Sequence, residues 1–507
     1  MPRKGCARAR SFARGLLWAA GLTAVAAPLA VRGWSLAIEQ SSVGVVLPDI
    51  RSGGWEITGN RADIRPTVTA DGDSASFDFA PTSQIQTDRL AFAQGGQSLA
   101  LSNLLTDLSQ TKVQLDYGAT GPWSERIAIH GELRMDAERI DHPRLVPQAW
   151  HFEGSVGGRL AALRIDGTLT SAAGLAADLE VQLDPDGAVT VTAEAVLDGP
   201  EDIRALAATF TDWPALLTVE SGAVHLSVDA WVSPQDGLEI NGRAELEKVT
   251  GVVNRTAVSG LSGEVRGALR QGQLTAGLRD MTIASINPGI PISEVRFSGD
   301  YTASTSSPLE GTLDIQQARA AFLDGRLRIP PGTYALANGS WQIPVELQEV
   351  SLGRLMEVYP AEGLSGNGRL QGRIPLEITS SGEVRVREGR VSAVDPGGRL
   401  QLPADKLQAM LGGNQAMNLV VQALQNFHYS VLNSTIDYDE QGKLTLGLRL
   451  EGRNPELRGG QPVVLNVNLE EDIPALLTSL QLSGRVNEAV TRRVREMLQE
   501  SGKETAP

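Results

Sequence analysis

The stretch that decides the fold runs from Gly363 to Glu470. Its first part reads Gly366-Asn-Gly368-Arg-Leu-Gln-Gly372-Arg-Ile374-Pro-Leu376-Glu-Ile378, followed by Val384-Arg-Val386-Arg-Glu-Gly389 and the turn Asp395-Pro-Gly-Gly398. Two helical pieces are predicted next, over Asp405–Leu411 and Asn414–Phe427. Alternation then returns as Leu444-Thr-Leu446-Gly-Leu448-Arg-Leu450-Glu-Gly452 and Val463-Val-Leu465-Asn-Val467-Asn-Leu469-Glu470. Successive side chains of a strand point to opposite faces, so each segment carries one apolar and one polar face. A sheet built from such segments must hide its apolar side against something.

The same pattern recurs upstream. Ile127 to Met135, Leu163 to Leu169, Val189 to Ala195, Val224 to Ala230, Leu238 to Leu246 and Val295 to Tyr301 all alternate, with turn chemistry at Asp184-Pro-Asp-Gly187, Pro234-Gln-Asp-Gly237 and Asn287-Pro-Gly289. No repeat of constant length is present, so the pattern reads as an antiparallel meander and not as a propeller or leucine-rich solenoid. Helical spacing is confined to Glu201–Phe210, Val350–Tyr359 and Val486–Leu498, besides the two pieces above.

Of the 507 residues 54 are glycine and only 5% are aromatic, which favours many short strands over large aromatic cores. The formal net charge of −15 repels phosphate backbones and argues against nucleic-acid binding. The single cysteine, Cys6, rules out an intramolecular disulfide. Five basic residues, Arg3, Lys4, Arg8, Arg10 and Arg14, precede the uncharged run Gly15–Val31. That arrangement predicts a cytoplasmic segment over 1–14, a membrane anchor over 15–31 and an exported remainder. A cleaved signal peptide is the alternative, since Ala24-Val25-Ala26 offers small residues to a peptidase. The exported part divides into an N-terminal β region (32–200), a middle β region (201–360) and a C-terminal region of strands and short helices (361–507).

The expected fold is mostly β: an elongated, curved antiparallel sheet forming a hydrophobic groove, with an N-terminal transmembrane helix and a few short C-terminal helices. A two-sheet sandwich is the competing arrangement. Medium aliphatic side chains, glycines within strands and a membrane tether favour the groove, because acyl chains can fill an apolar trough as core side chains would. The candidate lining is Ile374, Leu376, Ile378, Val384, Val386, Leu444, Leu446, Leu448, Leu450, Val463, Leu465, Val467 and Leu469. Read as ordinary core, the same rows need no ligand, and the protein would be an envelope scaffold or assembly factor. Enzymatic chemistry has little support. His130, His142, His151, His225 and His428 are scattered, and no catalytic triad, metal or cofactor motif is evident. Asp437-Tyr-Asp439-Glu-Gln441-Gly442 opens like a calcium loop, but Leu448 stands where the loop requires Glu, so a hairpin turn is expected.

Several of these features together resemble the YdbH family of AsmA-like proteins, relatives of TamB and YhdP. They are the glycine-rich entry Leu364 to Gly372, the Ile374-Pro-Leu376 step, the strand end Val386 to Gly389 and the Asp395-Pro-Gly-Gly398 turn. Ala423-Leu-Gln-Asn-Phe427-His-Tyr429, the strand Leu446 to Gly452 with Asn454-Pro455, and Val463-Val-Leu-Asn466 complete the set. Weaker similarity reaches back through Asn287-Pro-Gly289 to Trp213-Pro-Ala-Leu-Leu217, so the resemblance covers roughly the second half to three fifths of the chain. Asp324-Gly325 departs from a commoner Gly-Gly, and the chain is shorter than typical members. The resemblance implies an inner-membrane-anchored periplasmic protein that carries phospholipids between the inner and outer membranes of a Gram-negative bacterium, with a small outer-membrane lipoprotein as a partner at the C-terminal end.

Overall fold

A computed structural model describes residues 35–472 outside 40–41, 53, 95–96, 212, 214–216, 234–236, 254–255, 288–289, 336–339, 359–364, 380–383, 402–420, 440 and 458–459. The chain divides into two compact units, residues 1–247 with 265–273, and residues 248–264 with 274–507. Both are mostly β, with antiparallel pairing and a few short helices.

The first unit contains β1 (Leu36–Ile38), β2 (Val43–Val46), β3 (Ile50–Ser52), β4 (Trp55–Ile64), β5 (Pro66–Ala70), β6 (Ser74–Phe79), β7 (Gln84–Gln94), β8 (Gln97–Asp107) and β9 (Thr111–Asp116). The short α1 (Trp123–Arg126) leads to β10 (Ile127–His142), β11 (Leu145–Arg159), β12 (Ala162–Ser171), β13 (Ala176–Leu183) and β14 (Val189–Asp198), then α2 (Pro200–Thr209) and β15 (Leu217–Ser233). From β10 to β15 each strand pairs with the next in the chain. The other edge of β10 forks, with Ile127–Gly131 pairing to β9 and Arg134–Asp141 to β8. One arm continues through β6 and β5 to β1, the other through β7 and β4 to β2 and β3. Ala62 and Ile64 of β4 share a small core with Phe79 of β6. Two layers therefore face each other beyond the fork, a local version of the sandwich that strand alternation permits.

In the second unit β18 (Gln273–Asn287), which follows β16 (Gly237–Val253) and β17 (Thr256–Arg270), leads to β19 (Ile292–Ser304), β20 (Ser307–Phe322), β21 (Gly325–Ile329), β22 (Gly332–Ala335) and β23 (Ser340–Ser351). Then come α3 (Leu352–Val358), β24 (Ser365–Gly366), β25 (Arg369–Thr379), β26 (Val384–Ala393), β27 (Gly398–Gln401), β28 (Phe427–Tyr438), β29 (Lys443–Arg453) and β30 (Pro462–Asp472). A continuous ladder links β19, β20, β21, β23, β25, β26, β28, β29 and β30 in that order.

The alternating segments quoted above all lie in strands, and Glu201–Phe210 coincides with α2 to within a residue. Of Val350–Tyr359, Val350 and Ser351 still belong to β23, and Leu352–Val358 is helical. The Ser351 hydroxyl accepts from the Arg354 amide at 3.1 Å and so caps α3. Within Asn414–Phe427 the described part is helical over 421–424, whereas Phe427 opens β28, where it is fully buried. The predicted helices Asp405–Leu411 and Val486–Leu498 and the anchor 15–31 lie outside the described residues. Among the described residues no helix is long and apolar enough to cross a membrane.

Glycine inside these strands permits close approach between neighbours. A Cβ on Gly372 would sit 2.3 Å from the Arg390 carbonyl oxygen and 2.9 Å from Val391 Cα. Bulges supply the other local irregularity, with Glu349 and Glu388 in the left-handed region at φ 52° and 54°. The Glu388 bulge shifts the register of β25 against β26, so that Leu376 pairs with Val386 instead of Arg387. Replacing Gly372 with valine must push β25 and β26 apart. Equilibrium denaturation should then register a loss of about 2–3 kcal/mol, and an unchanged midpoint would contradict this close packing.

Candidate functional site

Register turns the one-dimensional alternation of the second unit into rows that cross its ladder. Val345 pairs with Ile374. Ile343 pairs with Leu376, Leu376 with Val386, Val386 with Tyr438 and Tyr438 with Leu444. Ile436 pairs with Leu446 and Leu446 with Leu469, while Leu448 pairs with Val467. Trp341, Ile378 and Val384 form the last row. The predicted lining residues on four separated segments are thus brought onto one face. The rows also take in Trp341, Ile343, Val345, Ile436 and Tyr438, which the sequence reading passed over. The alternation Trp341-Gln-Ile343-Pro-Val345-Glu-Leu347 was the available signal.

The face is covered unevenly. At one end of the rows α3 lays Leu355, Met356 and Val358 on a core that includes Leu352, Val350, Leu370, Leu432 and Leu450. Val421 and Leu424 join from the helical turn before β28. Leu450 is only 1% exposed here, and Leu448, Val463 and Leu465 pack against the same core. Tyr429 belongs to it as well. Its hydroxyl donates to the Asn367 carbonyl at 2.7 Å, and burial raises its pKa above the usual phenolic value. Away from α3 the protein covering thins. Ile374, Leu376, Ile378, Leu444 and Leu446 are half-buried, Val386 is buried and Val384 is 40% exposed. Val467 and Leu469 keep their places in the register of β30, but their side chains lie outside those described.

The first unit repeats the device. Pro200 at the first helical position and Glu201 and Asp202 in the first turn suit the start of α2. Ile203 and Ala205 of that helix are buried with Leu175 and Leu197, and Val224 and Leu226 pack alongside. Further along the same face of β15, Val228 pairs with Ala193 and is 40% exposed, and Val232 pairs with Val189 and is 44% exposed. Each unit therefore carries an aliphatic sheet face that one helix covers in part.

The opposite, polar faces carry the charges. In the first unit opposite charges meet, as in Arg134 with Glu153 at 3.0 Å and Arg164 with Glu180 at 3.0 Å. The Asp437–Gly442 segment is the β28–β29 hairpin turn. The Asp439 carboxylate accepts from the amides of Gln441 and Lys443 at 3.0 and 2.9 Å, which accounts for the acid-rich sequence there. Lys443 beside it is raised in pKa by its hydrogen bond to Glu470. Among the described residues no group of three or more His, Cys, Asp or Glu could hold a metal ion.

A family model described as YdbH-like, intermembrane phospholipid transport protein YdbH, matches residues 4–495. The match extends through both units and so well beyond the C-terminal half that carries the quoted motifs. It describes a transport family and not an enzyme family. No curated protein and no solved structure matches the chain.

The uneven covering leads to a measurable contrast. Leu450→Ala should cost about 3 kcal/mol in denaturant unfolding, whereas Leu446→Ala should cost about 1 kcal/mol or less, because only the former leaves a cavity sealed by protein. Equal losses at the two positions would show that the face is closed along its whole length.

Proposed function

Because the chain belongs to the YdbH-like family, we propose that it moves phospholipids between membranes by seating their acyl chains on the half-covered apolar rows. The observation that carries this reading is the thinning of protein cover away from α2 and α3. Aliphatic side chains on paired strands stay partly exposed in both units, at Val228 and Val232 and again at Leu376, Ile378, Val384, Leu444 and Leu446. Burial of apolar surface is non-directional and yields about 25 cal/mol per Å2, so two acyl chains lying on such rows gain many kcal/mol over exposure to water. Headgroups can remain in water at the rim, and transfer then requires no bond to be made or broken. The rows beneath α3, with Leu450, Leu448, Val463 and Leu465, close one end of the lining, while Ile374 continues the open rows and Val386 is buried among them.

In this reading residues 15–31 anchor the chain in the inner membrane of a Gram-negative bacterium and the β units stand in the periplasm as a bridge. The basic residues ahead of that run support the orientation, with the exported part following the apolar segment. A small outer-membrane lipoprotein at the C-terminal end would receive the lipid. The same groove candidates, Val467 and Leu469 included, lie on the strands nearest that end.

Native mass spectrometry of the full-length chain released gently from detergent should find one or more phospholipids bound. Leu446→Asp and Leu376→Asp should each remove that lipid while leaving the chain folded. A lipid-free parent chain, together with unfolding of both variants, would instead indicate a dry core and support the scaffold alternative.

A further inference from the structure

The polar face of the second unit holds a row that contrasts with the paired charges of the first. Arg296 of β19 pairs in register with Arg319 of β20, and Arg319 with Arg328 of β21. Arg328 pairs with Glu346 of β23, Glu346 with Arg373 of β25, and Arg373 with Arg390 of β26. Residues directly opposite on antiparallel strands share a face with Cβ atoms about 5 Å apart, and like charges so placed repel. Five arginines and one carboxylate thus run side by side across six strands of a chain whose net charge is −15.

Most of these guanidinium groups lack an internal counter-charge. Arg328 reaches Glu346 only at 3.9 Å. Among the described residues Arg296, Arg319, Arg373 and Arg390 make no ion pair and no side-chain hydrogen bond, although 60 acidic residues were available to the fold. All are exposed. An exposed row screened by salt would be the ordinary outcome if the surface there were flat. It is not flat. Arg373 and Arg390 line an open depression of about 860 Å3 with Glu346, Asn433 and Arg449, and Arg296, Arg319 and Arg328 line another of about 710 Å3 with Glu294 and Arg326. Both volumes are in the range of small-ligand sites.

We propose that this face binds phosphate-bearing anions in two adjacent subsites, one between Arg319 and Arg328 and one between Arg373 and Arg390. The planar fork of each guanidinium donates two parallel N–H groups, which match the oxygens of a phosphate mono- or diester, and two neighbouring forks can share one phosphate. Glu346 stands between the pairs and repels an anion at the midpoint, so the ligand's charges divide between the two sides. Three strand spacings separate the subsites, about 14 Å. The same chemistry belongs to an anionic lipid headgroup and to a free phosphate compound. The proposal does not rest on the apolar rows, which lie on the opposite face, and phospholipid bound there is unaffected by changes to these arginines.

The test titrates the full-length chain in detergent with inorganic phosphate at low ionic strength, and floats the same chain with phosphatidylglycerol or phosphatidylcholine vesicles. Phosphate should bind, with affinity falling as salt rises. The double variants Arg319→Gln/Arg328→Gln and Arg373→Gln/Arg390→Gln should each weaken it about tenfold or more. Arg134→Gln in the first unit should change nothing. Flotation with phosphatidylglycerol alone, lost in both double variants, assigns the phosphate to a headgroup, and phosphate binding without flotation assigns a soluble compound. The double variants should melt at the parent's temperature or above it, since like-charge neighbours have been removed. Absence of phosphate binding, equal binding of acetate, unaltered binding in both double variants or a lowered melting temperature would overturn the proposal.

Discussion

An antiparallel strand with alternating side chains makes an oily face whether or not there is enough protein to cover it. Among the described residues of both units the strands outnumber the helices that lie on them. α2 covers Leu175 and Leu197 in the first unit, and α3, with the turn that holds Val421 and Leu424, covers Val350, Leu370 and Leu450 in the second. Elsewhere the same face carries aliphatic side chains that are only half-hidden. In the proposed function, stability and ligand capacity are drawn from one surface: the capped portion holds the fold, and the uncapped portion is left for acyl chains to bury.

Local backbone devices keep that face coherent. The bulges at Glu349 and Glu388 each insert a residue, and without them the register would turn an arginine or a glutamate toward positions that now receive Val350 and Val386. Both of these bulge positions, in the left-handed region, are occupied by glutamate. Arg369 holds the neighbouring irregularity by donating to the carbonyls of Asp324 and Glu349 at 2.8 and 2.9 Å. The same register that aligns the oily rows on one side aligns guanidinium groups on the other. An oily face and a basic face are two consequences of one pairing scheme.

Much of this was legible residue by residue. The alternating segments from Ile127 to Glu470 lie in strands, the hairpin at Asp437–Gly442 is a turn, and apolar spacing located both helices, α2 starting one residue before the expected Glu201 and α3 two residues after the expected Val350. Less legible was the fork at β10, where one strand pairs with β9 over its first half and with β8 over its second. Nothing in the alternation of Ile127 to His142 marks that change of partner. Trp341 to Leu347 alternates as cleanly as the segments singled out, and its place in the apolar rows follows from pairing with β25. The division of the candidate rows into capped and open parts was equally hidden, because Leu446 and Leu450 have the same chemistry and the same period.

By itself the sequence determined the strands, their oily and polar sides, the turns and the family likeness, since each depends on residues close together in the chain. Only the tertiary structure decided which oily rows a helix would seal and which arginines would stand opposite one another. Those outcomes depend on register and on contacts between segments far apart in sequence. A single bulged residue is enough to exchange the partner across a strand pair, and periodicity within one strand does not record what its neighbour places beside it.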